Sequence, residues 1–174
     1  MHQSIINFTN IQNSIKENQE KTNNKNNIKI IAVSKTFEIS HINPLIDYGH
    51  TDFGENKVQE AIEKWSDIKL KNQNLSLHLV GKLQSNKTKL ALKIFDYIHS
   101  LDSEKLANKI SEEQKKIDKK PKLFIQVNIG NEDQKSGVGP NKLKSFYKYC
   151  LDKDLDVIGT MCLPPISEDP EKYF

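Results

Sequence analysis

A lysine that directly follows a short apolar run is the residue of this sequence best placed to do chemistry. Lys35 comes after KIIAVS, residues 29–34, a run typical of a buried strand. An amine at the mouth of a dry pocket loses hydration, which lowers its pKa and raises the neutral fraction that can attack a carbonyl carbon. Lys35 could therefore form a Schiff base, although most lysines are solvated surface charges and one of the 26 in this chain can reach a strand end by chance.

Two histidines and a glutamate also lie within or directly after apolar runs. His78 and His99 are each either a hydrogen-bonded core residue or a base, and the sequence pairs neither of them with a carboxylate. Glu55 could act as an acid or base, or it could cap the following helix, NKVQEAIEKW, where free backbone amides favour negative charge. Gly137 and Gly139 are expected to be turn residues, because GVG lacks the third glycine of a dinucleotide-binding loop.

Several common kinds of site are excluded by motifs that the sequence lacks. The nucleotide-binding GxxxxGKS, the zinc-protease HExxH and the hydrolase GxSxG patterns are all absent. Cys150 and Cys162 form no CxxC pair, so neither a metal site nor a disulfide framework is expected, and a reducing compartment fits best. The net charge is only +3, no arginine occurs, and no aromatic stripe accompanies the lysines, which argues against nucleic-acid binding.

The sequence also gives no sign of a membrane or export segment. The N-terminal stretch MHQSIINFTNIQNSIKENQ lacks the continuous apolar core of a leader peptide. No window approaches the roughly 18 consecutive apolar residues that span a bilayer. We therefore expect a soluble, cytoplasmic protein.

The elements that must position these side chains follow from alternating hydrophobic patterns. Six short segments rich in strand-forming residues alternate with segments of helical period, at 29–34, 51–54, 75–80, 97–101, 122–128 and 156–161. This alternation predicts a parallel sheet covered by helices. An open doubly wound sheet would carry a glycine-rich first turn, whereas the first run continues into SKTFEIS without a glycine. We therefore expect an α/β fold of the (β/α)8 TIM-barrel type.

The chain is expected to form a single barrel domain over residues 1–174. Ile5, Phe8, Ile11 and Ile15 predict an N-terminal helix over residues 1–17, followed by a polar linker at 18–27 and β/α units from residue 28. Eight units of about 25 residues would end close to residue ~229, so the last two units are expected to be absent.

Helix boundaries are indicated by a few capping residues. Ser103 is predicted to cap the helix that follows it, Pro140 to occupy a first helical turn, and Gly49 to end a helix. Pro44 is expected to shift the start of the helix before Gly49 toward Asn43, because a proline further inside would remove a backbone donor.

Seven motifs in order carry a family resemblance. They are AVSKT (32–36), FGENKVQE (53–60), HLVGKLQSNK (78–87), IHSLD (98–102), QVN (126–128), KSG (135–137) and GTMCLPP (159–165). Together they closely resemble the pyridoxal phosphate homeostasis protein family, whose barrel is similar to that of fold-type III enzymes such as alanine racemase.

The resemblance implies a non-enzymatic protein that binds pyridoxal 5'-phosphate (PLP) and helps to control its level. It implies that the cofactor is held as a Schiff base on Lys35 without catalytic turnover, so no catalytic residue is expected. By position, we expect Asn56, His78, Ser100 and Asn128 to line the cofactor site as supporting polar groups. The resemblance also implies a monomer that hands PLP to apoenzymes.

One departure from the family leaves alternatives open. The family's SMGMS and R-x-G-T-x-x-F-G stretches, which resemble a phosphate cradle, are absent here, so weak cofactor binding is expected. The chain could instead be a truncated product with little affinity for PLP. It could also be a PLP-dependent barrel enzyme, such as an amino-acid racemase or decarboxylase, although racemisation needs a second acid or base that racemases take from another domain or subunit.

Overall fold

The computed structural model describes residues 2–130 and 136–164, and these form one six-stranded parallel sheet wrapped by helices. The strands are β1 (Ala32–Val33), β2 (Asp52–Glu55), β3 (Ser76–Leu79), β4 (Tyr97–Leu101), β5 (Lys122–Val127) and β6 (Asp156–Cys162). All six predicted strands are confirmed, and β1 is shorter than its apolar run. Lys135 and Pro165, which belong to two of the sequence motifs, lie outside the described residues.

The order of the strands distinguishes the two folds that the sequence left in competition. Each strand pairs with the next one along the chain, in the order β1-β2-β3-β4-β5-β6. A doubly wound sheet would reverse direction at a switch point, whereas a barrel adds its strands in sequence. The predicted α/β barrel type is therefore confirmed over six strands.

Helices connect and surround the strands. They are α1 (Gln3–Thr22), α2 (Ile39–Asp47), α3 (Val58–Lys71), α4 (Thr88–Ile94), α5 (Glu104–Ile117) and α6 (Leu143–Asp152). The predicted boundary residues are confirmed: Ser103 accepts a hydrogen bond from the amide of Leu106, Gly49 follows α2 with a φ of +96°, and Pro140 begins a 3-10 turn before α6. None of the helices in the described part of the chain is long and apolar enough to span a membrane.

Two helix boundaries differ from the sequence prediction. α1 ends at Thr22 rather than residue 17, so part of the predicted linker at 18–27 is helical. Its end falls at Asn23, which adopts the left-handed conformation that asparagine tolerates at a C-cap. α2 begins at Ile39 and contains Pro44, because packing of its apolar face, centred on buried Ile42, outweighs one lost backbone hydrogen bond.

Different side chains cover the two faces of the sheet. The outer face packs against the helices through a single hydrophobic cluster, in which Phe53 contacts Trp65 of α3 with ring centroids 4.9 Å apart. The inner face begins at β1 and β2, where Ile31 and Val33 pack over Gly54. Lys35 lies beyond Val33, in the turn that follows β1.

Candidate functional site

The carboxyl edge of the sheet collects three of the predicted site residues. Lys35 lies two residues after β1, and Asn56 and Asn128 directly follow β2 and β5. Parallel strands end at one edge, so these residues lie on the side of the barrel where such folds place their sites. Lys35 is exposed, so the partial loss of hydration expected from its sequence context is wrong, and its Nζ has no hydrogen-bond or ion-pair partner within residues 2–130 and 136–164.

Two buried polar atoms of the predicted site residues have no hydrogen-bond partner among the described residues. They are Oδ1 of Asn56 and Oγ of Ser100, and Ser100 is only 1% exposed within β4. Burying such an atom without a partner costs about 1–3 kcal/mol, so unpaired atoms of this kind are uncommon in folded proteins. They are groups that a bound polar molecule could satisfy.

His78 lies within β3 and faces the barrel interior. Its Nε2 is 3.2 Å from Oδ1 of Asp52, and its Nδ1 is 3.0 Å from Nε2 of His99. The ring of Tyr97 stacks on His78 and the ring of Phe124 stacks on His99. The structure thus supplies the carboxylate partner that could not be assigned from the sequence.

Asp52, His78 and His99 form a buried hydrogen-bonded row, and their protonation states follow from their surroundings. Burial lowers the pKa of His78, and burial together with the neighbouring His78 ring lowers the pKa of His99 to about 4. Burial alone would raise the pKa of Asp52, but hydrogen bonds from Lys29, Thr51 and His78 outweigh it and lower that pKa. An ionised Asp52 only accepts hydrogen bonds, so Nε2 of neutral His78 donates to it and Nδ1 of His78 accepts from His99.

The low pKa of His99 predicts a loss of stability in mild acid. In the unfolded chain His99 should protonate near pH 6.5, whereas in the folded protein it resists protonation until about pH 4. Between these values the unfolded state binds the additional proton, so the free energy of unfolding should fall by up to about 3 kcal/mol as the pH drops through this window. Urea unfolding from pH 7 to 4 measures this dependence.

The variant His99→Gln isolates the contribution of that ring. A glutamine amide can still donate to Nδ1 of His78 but does not titrate in this range. We expect its free energy of unfolding to fall less steeply than that of the wild type between pH 6.5 and 4. Equal slopes for the two proteins would contradict the prediction.

The turn that carries Lys35 is held by side chains from β2 and α3. Ser34 donates from its Oγ to Oε1 of Glu55 at 2.8 Å, and its carbonyl oxygen accepts from Nζ of Lys64 at 2.9 Å. Beyond Lys35, the amide of Thr36 donates to Oε1 of Glu60 at 2.9 Å. That hydrogen bond, supported by Lys64 and opposed by burial, lowers the pKa of Glu60.

Glu55 has a role that neither sequence alternative described. It is fully buried at the end of β2, and its Oε1 also accepts hydrogen bonds from Nζ of Lys64 and Nε1 of Trp65. The N-cap of α3 is Lys57, so the prediction that Glu55 caps this helix is wrong. The carboxylate instead faces the helix side, where buried donors meet it.

A cavity of about 240 Å³ opens at the same edge between the ends of β3, β5 and β6. Its lining includes Gly81, Lys82, Gln126, Asn128 and Met161. The segment after β5 returns to this edge, with the amide of Val138 bonded to the carbonyl oxygen of Gln126. Asn128 is the one predicted site residue that lines this cavity.

Two positions at this edge, Gly81 and Gly137, require glycine because backbone segments approach each other closely there. Gly137 has a φ of +137°, and a Cβ there would lie 2.8 Å from the amide nitrogen of Asn128. This supports the expectation that it is a turn residue. At Gly81 a Cβ would lie 2.2 Å from the carbonyl oxygen of Asn56, so the loop after β3 packs directly on the end of β2.

Comparison with known proteins identifies the family. Residues 6–174 match the family model of the alanine racemase N-terminal domain. The chain is similar to the pyridoxal phosphate homeostasis protein of Pasteurella multocida, with 37% identity over 161 residues that cover 92% of this chain and 68% of that protein. It is 39% identical to the protein of the same name from Haemophilus influenzae, over 84% of this chain and 62% of that protein.

Solved structures agree with this relationship. PipY of Synechococcus elongatus PCC7942 with PLP bound has a TM-score of 0.71 and 33% identity, over 87% of this chain and 71% of that one. Alanine racemase of Clostridium difficile 630 has a TM-score of 0.65 at 17% identity, over 92% of this chain and 42% of that one, which shows a shared fold alone. The chain therefore belongs to the alanine racemase N-terminal domain family and, within it, to the pyridoxal phosphate homeostasis proteins.

Proposed function

We propose that this protein binds PLP through a covalent bond to Lys35 and takes part in PLP homeostasis without catalytic turnover. The observation that carries the proposal is the placement of Lys35, an exposed amine without a partner in the described part of the chain, at the carboxyl edge of a parallel barrel sheet. The relatives named for PLP homeostasis and the PLP-bound PipY structure support it.

The residues present fit the aldehyde end of this cofactor. PLP supplies an aldehyde that condenses with a primary amine, and a phosphate that binds hydrogen-bond donors. Lys35 must first lose a proton, and its Nζ then bonds to the carbonyl carbon as one water molecule is released. Oδ1 of Asn56 and Oγ of Ser100 are buried without a partner in the described part of the chain, and we propose that they support the site from within the barrel.

We propose supporting roles for Asn128 and His78, the remaining predicted site residues. Asn128 lines the cavity at the carboxyl edge, together with Lys82, whose charge suits an anionic group. His78 belongs to the interior of the barrel, where it is already bonded to Asp52 and His99. We propose that it supports the floor of the site rather than exchanging protons with a ligand.

The covalent bond gives a direct test. Purified protein incubated with PLP should absorb in the visible range, and borohydride reduction followed by peptide mass spectrometry should place the label on Lys35. Lys35→Ala should lose the absorbance and bind PLP at least about 100-fold more weakly, equivalent to about 2.7 kcal/mol. Lys57→Ala removes another exposed lysine near the same edge and should bind as the wild type does.

Two results would contradict the proposal. One is a label spread evenly over many lysines, and the other is an unchanged visible absorbance in Lys35→Ala. We further propose that the protein is cytoplasmic and monomeric, passes PLP to apoenzymes and turns over no amino acid, and the same preparation tests the last three of these properties. Sedimentation velocity, reactivation of an apoenzyme and amino-acid turnover assays measure these properties.

A further inference from the structure

The backbone on both sides of Lys35 is tied to the same pair of elements, β2 and α3. On the N-terminal side, Ser34 is fully engaged: its amide donates to the carbonyl oxygen of Gly54, its Oγ donates to Glu55, and its own carbonyl oxygen accepts from Lys64. Ser34 is 5% exposed. The strand end that leads into Lys35 is therefore fixed by its side chain as well as by the sheet.

The C-terminal side of Lys35 is held in an unusual conformation. Thr36 has a φ of +66°, the left-handed region that β-branched residues rarely adopt, at a cost of about 1–3 kcal/mol. Its amide donates to Oε1 of Glu60 in the first turn of α3, 24 residues further along the chain. A conformation of this cost persists only where the surroundings enforce it. Two contacts do so here: the amide of Phe37 donates to the carbonyl oxygen of Ser34 at 3.2 Å, which closes the turn across Lys35 and Thr36, and the amide of Thr36 donates to Glu60.

Lys64 links the two glutamates that contact the neighbours of Lys35. Its Nζ lies 2.9 Å from Oε1 of Glu55 and 3.2 Å from Oε1 of Glu60, and its side chain is 11% exposed. One partly buried ammonium group thus holds together the carboxylates that contact the two neighbours of Lys35. Lys35 itself takes no part in this network.

We propose that Glu55 and Glu60 are positioning residues for Lys35. They fix the residues on either side of it, so that the backbone of the turn sets the direction in which the Lys35 side chain leaves the chain, while its amine has no partner in the described part of the chain. This inference rests on the proposed role of Lys35 in binding PLP. A turn fixed in advance lowers the entropy cost of forming the covalent bond, and misplacement of a reacting group by about 1 Å can slow a reaction about 100-fold.

Glu60 is the better residue to alter, because 29% of its side chain is exposed and Glu55 and the Ser34 carbonyl oxygen would still hold Lys64. Glu60→Ala removes the acceptor of the Thr36 amide. Glu60→Gln keeps an oxygen there and should restore much of the wild-type behaviour. Glu63→Ala is the matched control, since it removes the same charge from the exposed surface of α3, where the Glu63 side chain bonds only to Gln59 among residues 2–130 and 136–164.

The first measurement uses the protein without cofactor. In Glu60→Ala we expect hydrogen exchange of the Thr36 amide to accelerate at least about tenfold, in line with the loss of a hydrogen bond. The backbone order parameter of Lys35 should fall from about 0.85 toward 0.6. Glu63→Ala should leave both values unchanged. These readouts do not depend on whether PLP is the ligand.

The second measurement compares PLP with pyridoxine 5'-phosphate, which has the same ring and phosphate but no aldehyde. Glu60→Ala should weaken PLP binding about tenfold or more and slow formation of the reducible adduct, while binding of pyridoxine 5'-phosphate stays within about twofold. This difference separates positioning of Lys35 from general damage to the pocket.

The outcomes discriminate between the two proposals. Equal weakening of both ligands, or an unchanged Thr36 exchange rate in Glu60→Ala, would overturn the positioning role. If the wild type forms no adduct on Lys35, the proposed function fails, and the exchange rate and order parameter then decide alone whether Glu60 fixes the turn.

Discussion

Replacing Trp65 with alanine should lower the free energy of unfolding by about 3–5 kcal/mol. Trp65 is fully buried in the hydrophobic cluster, where its ring packs against Phe53. The substitution leaves a large cavity and also removes the Nε1 donor that bonds to Oε1 of buried Glu55 at 3.0 Å. Urea unfolding followed by far-ultraviolet circular dichroism measures the change, since Trp65 is the only tryptophan and its fluorescence is lost.

Trp65→Phe separates packing from hydrogen bonding. Phenylalanine retains most of the aromatic contact with Phe53 but cannot donate to Glu55, so we expect a loss of about 1–3 kcal/mol. The alanine variant should therefore be clearly less stable than the phenylalanine variant. A Trp65→Ala protein within about 1 kcal/mol of the wild type would show that this part of the barrel repacks freely, contrary to the structure.

Gly81→Ala should destabilise the protein by about 1–3 kcal/mol or more and should also disturb the site. The added Cβ would lie 2.2 Å from the carbonyl oxygen of Asn56 and 2.7 Å from its Cα, whereas carbon and oxygen atoms in contact normally lie about 3.3–3.6 Å apart. The atoms in the way belong to the backbone, so either the loop after β3 or the end of β2 must move. Movement of Asn56 should weaken PLP binding as well as stability.

Gly139→Ala provides the matched control for this prediction. Gly139 has a φ of −62°, which any residue can adopt, and a Cβ there would meet no atom of the described residues within 4 Å. The alanine should reduce the freedom of the unfolded chain and leave stability unchanged or raised by about 0.4–1 kcal/mol. Comparable losses in the two variants would mean that the close packing at Gly81 does not limit stability.

The sequence was sufficient to predict the sheet because each strand is a short local pattern. The apolar runs at 75–80 and 122–128 alternate with segments of helical period, and this is enough to indicate parallel strands and their order. The extent of β1 was less predictable. Its apolar run covers residues 29–34, but only Ala32 and Val33 pair as a strand with β2.

The site was predictable where it depends on position along the chain. Lys35 follows β1 as its sequence context indicates. The contacts around it depend on which residues of α3 reach the end of β1, which no local pattern specifies. The four-residue spacing of Glu60 and Lys64 predicts an ion pair on one helix face, but it does not predict that the carboxylate also accepts from Thr36.

The hydrogen bonds among Asp52, His78 and His99 likewise could not be predicted from a local sequence pattern. His78 and Asp52 come together because β2 and β3 pair with Asp52 opposite Ser76, and His78 reaches His99 through the pairing of β3 with β4. A shift of one residue in either register would turn one of the partners to the opposite face. Sequence alone does not determine register to this precision, so the carboxylate partner of His78 could not be identified from it.

The sequential order of the strands also bears on how the protein folds. Paired residues in neighbouring strands are between 19 positions apart, as for His78 and Tyr97, and 35 positions apart, as for Phe124 and Gly159. No ladder in the described sheet joins the first strand to a late one, so each can close over a short loop at low entropic cost. During synthesis on the ribosome, each strand can therefore add to the strands already formed as soon as it emerges.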